Sequence, residues 1–172
     1  MTRVVLTGPE STGKSQLAEG LAGHFSGKNI PEYARDHIAA LDRPYTASDV
    51  LEIARVQYAQ YLESTQERIP VFFDTWLIIT KIWLKVVFGA SYDWIDRALE
   101  NSSIDLYLLC YPDIPWEPDP LRENGGEMRH RLYEMYLQTL EEFGLPYRII
   151  RGTGEERVNN AIFAVQELTK TT

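Results

Sequence analysis

A chain of 172 residues, 44% of them hydrophobic, is long enough to bury a substantial core and suits a single domain over 1–172. Its 25 acidic residues against 17 Lys and Arg leave a net charge of −8, which argues against a nucleic-acid backbone as the main partner. Cys110 is the single cysteine, so an internal disulfide is excluded and a cysteine-built metal site is not expected. The chain enters a strand with no basic and apolar leader, and no apolar run approaches a membrane span. The expected compartment is the cytoplasm.

Val4, Val5 and Leu6 form a buried-strand run, which predicts a strand over Val4–Thr7. Residues 8–15 then read GPESTGKS, a complete G-x-x-x-x-G-K-[ST] phosphate loop. Gly8 and Gly13 let the backbone curl so that successive N–H groups, through Glu10, Ser11 and Thr12, face phosphate oxygens. Lys14 reaches the outer phosphates and the Ser15 hydroxyl joins a magnesium shell. A helix predicted over Lys14–Phe25 completes the strand, loop and helix that the motif requires. A nucleoside triphosphate site follows, with ATP and Mg2+ as the expected cofactors.

A second strand is predicted near Lys28–Pro31, and Glu32 stands at its end. If that strand lies beyond the Asp74 strand, Glu32 overlooks the acceptor site, where it would bond a ribose hydroxyl or serve as its base. The alternative is a surface ion pair with Arg35. Tyr33 offers a stacking face, and Arg35 a charge for phosphate. A helix about Ser48–Glu67 carries a packed stripe of Val50, Ile53, Ala54, Tyr58, Tyr61 and Leu62. Gln57 shares or borders that stripe, so its amide either finds partners in the interior or faces a substrate. Thr46 and Asp49 have capping-box spacing for this helix.

Asp74 closes a strand over Val71–Asp74, the Walker B pattern of apolar residues and then an acid. Such a carboxylate orients magnesium-bound water or receives a proton from an attacking hydroxyl. Thr75 either bonds to that shell or caps the helix predicted about Leu77–Val87. A helix about Tyr92–Leu99 and a strand over Ile104–Cys110 lead into a stiff segment with four prolines, Pro112, Pro115, Pro118 and Pro120. Trp116 sits there among Asp113, Glu117 and Asp119. Arg122, the Gly125–Gly126 joint and Arg129 then suit a lid that brings guanidinium charge to a transferring phosphoryl group. Arg131 cannot share a helix face with Arg129 two residues away.

Helices about Gly126–Phe143 and Glu155–Leu168 flank a last strand over Tyr147–Arg151. His24, His37 and His130 have no nucleophile to pair with and read as structural or solvent-facing. Strands and helices alternate throughout, which implies a parallel sheet covered on both faces, with ligands at the carboxyl ends of its strands.

In order and spacing, residues 8–15, the segment PEYAR over 31–35, Phe73, Asp74 and Thr75 with Thr80, and PDIPW over 112–116 followed by Leu121 and Arg122 carry a resemblance. They resemble the ribosylnicotinamide kinase domain of NadR-type NAD-biosynthesis proteins, in the AAA-like P-loop ATPase grouping. The resemblance covers nearly the whole chain. It implies an α/β P-loop kinase fold with a five-stranded parallel core, a lid at about residues 111–131, and ATP-dependent phosphorylation of the ribose 5′-hydroxyl of nicotinamide riboside. By the same resemblance Lys14, Ser15, Glu32, Tyr33, Arg35, Asp74, Trp116, Arg122 and Arg129 fall at phosphate, substrate and lid contacts. The chain departs from the family at Trp76, where a second acid is common. It also carries no His-rich nucleotidyl-transfer motif, so adenylyl transfer is not expected.

A physical argument for the same acceptor stands beside the resemblance. An aromatic face such as Trp116 or Tyr33, near carboxylates, favours a cationic pyridinium ring by roughly 0.5–2 kcal/mol. The residues alone leave open a kinase for another nucleoside or small acceptor, and an ATP-binding regulatory module with little turnover.

Overall fold

Val4, Val5, Leu6, Phe72 and Leu108 are all fully buried, because the strands that carry them are covered on both faces. The computed structural model describes residues 2–120 and 122–170. Among these, the strands are β1 (Arg3–Thr7), β2 (Lys28–Ile30), β3 (Val71–Asp74), β4 (Leu106–Cys110) and β5 (Tyr147–Ile150). The helices are α1 (Lys14–His24), α2 (Tyr33–Ala39), α3 (Ala47–Ser64), α4 (Leu77–Phe88), α5 (Asp93–Glu100), α6 (Gly126–Glu142) and α7 (Gly154–Lys170). The short α2 is the one element absent from the sequence-based series, since a single buried residue, Ala34, gives it no periodic pattern.

All pairings are parallel and the strand order is β2-β3-β1-β4-β5, the five-stranded core expected from the sequence. Successive residues of each strand enter opposite layers. Val5, Val71, Phe73, Tyr107 and Leu109 pack with residues of α3, α4, α5 and α6. Val4, Leu6, Phe72, Leu106 and Leu108 pack with residues of α1 and α7. From β1 the chain crosses beyond β3 to β2, returns to β3, and then passes to the other side for β4 and β5. That reversal opens a crevice at the carboxyl end of β1, where open α/β sheets bind ligands.

Local chemistry sets the ends of the elements around this crevice. Asp49 accepts from the Thr46 backbone N–H at 2.7 Å, which closes the start of α3. Trp76 is fully buried, donates its indole N–H to the Gln57 carbonyl at 3.2 Å, and packs its ring 5.2 Å from that of Tyr61. No helix among the described residues is long and apolar enough to cross a membrane.

Candidate active site

The phosphate loop is shaped by two glycines. Gly8 has φ 126°, and a Cβ there would come within 2.8 Å of the Cys110 carbonyl oxygen, so the loop lies directly against the end of β4. Gly13, at φ 75°, is the N-cap of α1. No side chain caps that helix and no acid occupies its first turn, which leaves its leading N–H groups and positive dipole end to an anion. Lys14 donates to the Pro9 carbonyl at 2.7 Å and Thr12 donates to the same oxygen at 2.8 Å.

Two buried arginines hold the loop from behind. Arg129 donates from Nε to the Glu10 carbonyl at 3.1 Å, from Nη1 to the Ile114 carbonyl at 2.7 Å, and from Nη2 to the Ser11 carbonyl. Arg157 donates from Nη2 to the carbonyls of Thr12 and Tyr111, both at 2.9 Å, and from Nη1 to Asp113 and the Gly152 carbonyl. Arg129 is thus turned to the loop's backbone, and it does not line the cleft in which a lid arginine would act. Arg157 escaped sequence reasoning because Glu155, Glu156 and Val158 around it are exposed, and the stretch reads as a solvated helix face.

Asp74 ends β3 beside β1 and is 4% exposed, with one carboxylate oxygen, Oδ1, lacking a hydrogen-bond partner. Burial pushes its pKa up, while a bond from the Ser15 hydroxyl and the charge of Lys14 pull it down. Among the described residues no three His, Cys, Asp or Glu gather into a metal cluster. An orphaned oxygen beside a serine hydroxyl fits Mg2+, which keeps several waters and takes the rest of its shell from phosphates. Glu32 stands just before α2, after the end of β2 and on the far side of β3 from the loop. Burial pushes its pKa up, Lys14 lowers it and Asp74 raises it further, so the three charges share one site.

Thr75, next to Asp74, has φ 72°, a conformation rare for a β-branched residue. Gln57 braces it: its Nε2 donates to Thr75 Oγ1 at 3.4 Å and its Oε1 accepts from Thr80 Oγ1 at 3.4 Å. Gln57 is 2% exposed and does not line the cleft, so its amide is satisfied by the interior. Trp76 likewise lies in the core.

A cleft of about 820 Å³ extends from the loop between α2, α4 and residues 114–120 and 122–124. Its far end is walled by Ile38, Tyr45, Trp83 and Tyr136. Tyr45 meets Trp83 edge-on with 5.0 Å between centroids and donates to Glu123 at 2.9 Å. The Tyr136 hydroxyl is pushed above its usual pKa by burial, then by the charges of Glu10 and Glu32. Neither aromatic residue singled out in the sequence lines this cleft. Trp116 covers Gly125, where a Cβ would stand 3.2 Å from the indole, and the Tyr33 hydroxyl lies 3.3 Å from His37 Nδ1. Tyr45 and Trp83 were hard to find in sequence: one sits alone in a loop, and the other shares a helix with many apolar residues.

Residues 115–120 and 122–124 form a strap over the cleft. Glu10 accepts from the backbone N–H groups of Glu123 and Asn124 at 3.1 and 3.0 Å, and Ser11 Oγ accepts from Glu117 N–H at 3.1 Å. Arg35 pairs with Asp119, and Arg122 lines the cleft while donating to the Glu117 carbonyl. Arg43, also on the cleft, makes a two-pronged pair with Asp49 at 2.8 and 2.9 Å. That pairing, followed by bonds from Thr46, holds the Asp49 carboxyl well below the usual carboxylate range. Leu121 lies outside the described residues, and Arg131 is exposed.

A phosphate loop opening a parallel 2-3-1-4-5 sheet, an acid on the adjacent strand and a strap over a second pocket define a P-loop fold of the kinase type. A profile of the AAA domain matches residues 3–157, and the chain belongs to that family. It is also homologous to NadR. The trifunctional NAD biosynthesis/regulator protein NadR of Escherichia coli K12 is 24% identical over 173 residues, covering 96% of this chain and 42% of the relative. The chain therefore spans well under half the length of that protein. The crystal structure of NadR in complex with NR matches with a TM-score of 0.85 at 26% identity, over 99% of this chain and 52% of the other. Deoxyadenosine kinase from M. mycoides, at 13% identity and a TM-score of 0.67 over 99% and 100% of the two chains, shares the fold.

Proposed function

We propose that this chain transfers the γ-phosphoryl group of ATP to the ribose 5′-hydroxyl of nicotinamide riboside. One observation carries the choice of acceptor. The cleft combines the Tyr45–Trp83 wall with Glu10, Glu32 and Glu123, while its guanidiniums Arg35 and Arg43 are already paired with carboxylates. Such a pocket favours a ring bearing positive charge, which suits a cationic nucleoside. The match to NadR in complex with NR supports the same reading.

The roles follow from position. Lys14 exchanges the Pro9 carbonyl for phosphate oxygens, and the uncapped start of α1 supplies N–H donors. Ser15 and Asp74 would hold Mg2+, which when bound neutralises charge on the β and γ phosphates. Glu32 lines the cleft, carries a raised pKa and accepts the proton of the attacking hydroxyl. Arg122 is the strap cation that remains over the cleft. One domain over 1–172, with the strap as its lid, belongs to the same reading, and adenylyl transfer does not.

The test is mass spectrometry of products after incubation with ATP, Mg2+ and a panel of ribosides. Nicotinamide riboside should gain one phosphate with kcat/KM above cytidine and uridine, and Lys14→Ala should abolish product. Equal or inverted preference would refute the acceptor, and ATP binding without any phosphorylated product would favour a regulatory module.

A further inference from the structure

The carbonyls of Glu10, Ser11 and Thr12 are three consecutive acceptors in the phosphate loop, and each receives a bond from a buried guanidinium. Carbonyls on consecutive residues that are all engaged on one side leave the intervening N–H groups directed to the other side, toward the cleft. Arg157 is 2% exposed and Arg129 is 5% exposed. Among the described residues Asp113 is the one carboxylate in ion-pair contact with either, at 2.7 Å from Arg157. Two buried cations therefore stand behind the loop, and of the two Arg157 alone is paired with an anion among the described residues. The Arg129 guanidinium is pulled below its usual pKa by burial, then by the charge of Arg157.

The same network fixes more than the loop. Asp113 also accepts from the Gly152 N–H at 2.7 Å, and Arg157 reaches the carbonyls of Tyr111 and Gly152. It ties the ends of β4 and β5 to the loop that follows β1, so residues 111–114 act as a fixed wall and the strap proper begins after Ile114.

We propose that Arg157, held by Asp113, is a positioning residue for the nucleotide: with Arg129 it presets the phosphate loop so that its N–H groups face a triphosphate. The inference rests on reading residues 8–15 as a triphosphate site. Arg157 touches neither reacting group, so its contribution falls on nucleotide affinity and not on the acceptor.

The experiment measures Mg·ATP binding by calorimetry, KM for ATP and for nicotinamide riboside, and Tm with and without Mg·ATP. It uses the wild-type chain, Arg157→Lys, Arg157→Met and Asp113→Asn. Folded Arg157 variants should bind Mg·ATP at least tenfold more weakly, and Asp113→Asn at least threefold. The acceptor KM should stay within twofold and the ATP-induced rise in Tm should shrink. Where Arg157 variants do not fold, Asp113→Asn, whose substitution lies at a partly exposed carboxylate, carries the test. Variants that bind Mg·ATP like the wild type, or whose two KM values rise together, overturn the inference. A wild-type chain that does not bind Mg·ATP overturns the triphosphate reading and this inference with it.

Discussion

Arg35 and Asp119 are paired across the mouth of the cleft although 84 residues separate them in the chain. The pair joins α2, which begins beside Glu32, to the strap that lies over the phosphate loop. It latches α2 to the strap.

Asp119→Asn should therefore raise the acceptor KM with little change in kcat. Arg35 is about half exposed at its side chain, and exposed pairs contribute about 0–1 kcal/mol, so the rise should not exceed about fivefold. Steady-state kinetics at low and high KCl check it, since salt should narrow the difference between wild type and variant.

Glu32→Gln should remove activity and raise stability together. Burial holds the Glu32 pKa above its ordinary value, so ionising it costs the folded state more than the unfolded chain. Stability then falls as pH rises from the ordinary glutamate range through the folded pKa, and the Gln variant escapes that loss. Its Tm should exceed the wild type at neutral pH, by roughly 2–4 °C per kcal/mol removed, and converge with it in acid. The acid limb of wild-type kcat/KM should lie above the ordinary glutamate range, and kcat of the variant should drop about 10²- to 10⁴-fold.

Asp74→Asn should weaken the response to magnesium. The carboxylate carries an unpartnered oxygen and accepts from Ser15, so the amide loses both charge and one acceptor position. The Mg2+ concentration for half-maximal activity should rise about 10- to 100-fold, as for other groups that order a metal's surroundings. Titration of activity with MgCl2 reads it directly.

Trp83→Leu should erode discrimination between acceptors more than it erodes turnover. The indole borders the cleft against Tyr45, and cation–π contact contributes about 0.5–2 kcal/mol. The preference for nicotinamide riboside over uridine should fall about 2- to 30-fold, measured as the ratio of kcat/KM values.

Trp76→Phe should cost stability and leave acceptor preference alone. The buried indole loses its N–H bond to Gln57 and part of its contact with Tyr61, a change of about 1–3 kcal/mol. Urea unfolding with an unchanged m-value, beside unaltered riboside preference, is the expected pair of results.

The contrast between Asp74 and Trp116 shows what could be read in advance. Asp74 follows three apolar residues, and strand geometry carries the last residue of such a run to the ligand-binding edge whatever lies elsewhere in the chain. Trp116 stands in a segment rich in prolines, where no period indicates which way a ring points, and it folds over Gly125. Gln57 lay between these cases: its helical spacing placed it at the packed stripe, and contacts with Thr75 and Thr80 then engaged its amide.

The amino-acid sequence by itself determined the sheet, the phosphate loop with Lys14 and Ser15, and the acid at the end of β3, because each depends on neighbours a few residues away. The tertiary structure alone decided that Tyr45 and Trp83 wall the cleft and that Arg129 and Arg157 serve the loop's carbonyls. Those roles depend on which distant segments meet. A guanidinium on a helix has the same local sequence whether it ends in water or in a buried ring of carbonyls, and only packing tells the two apart.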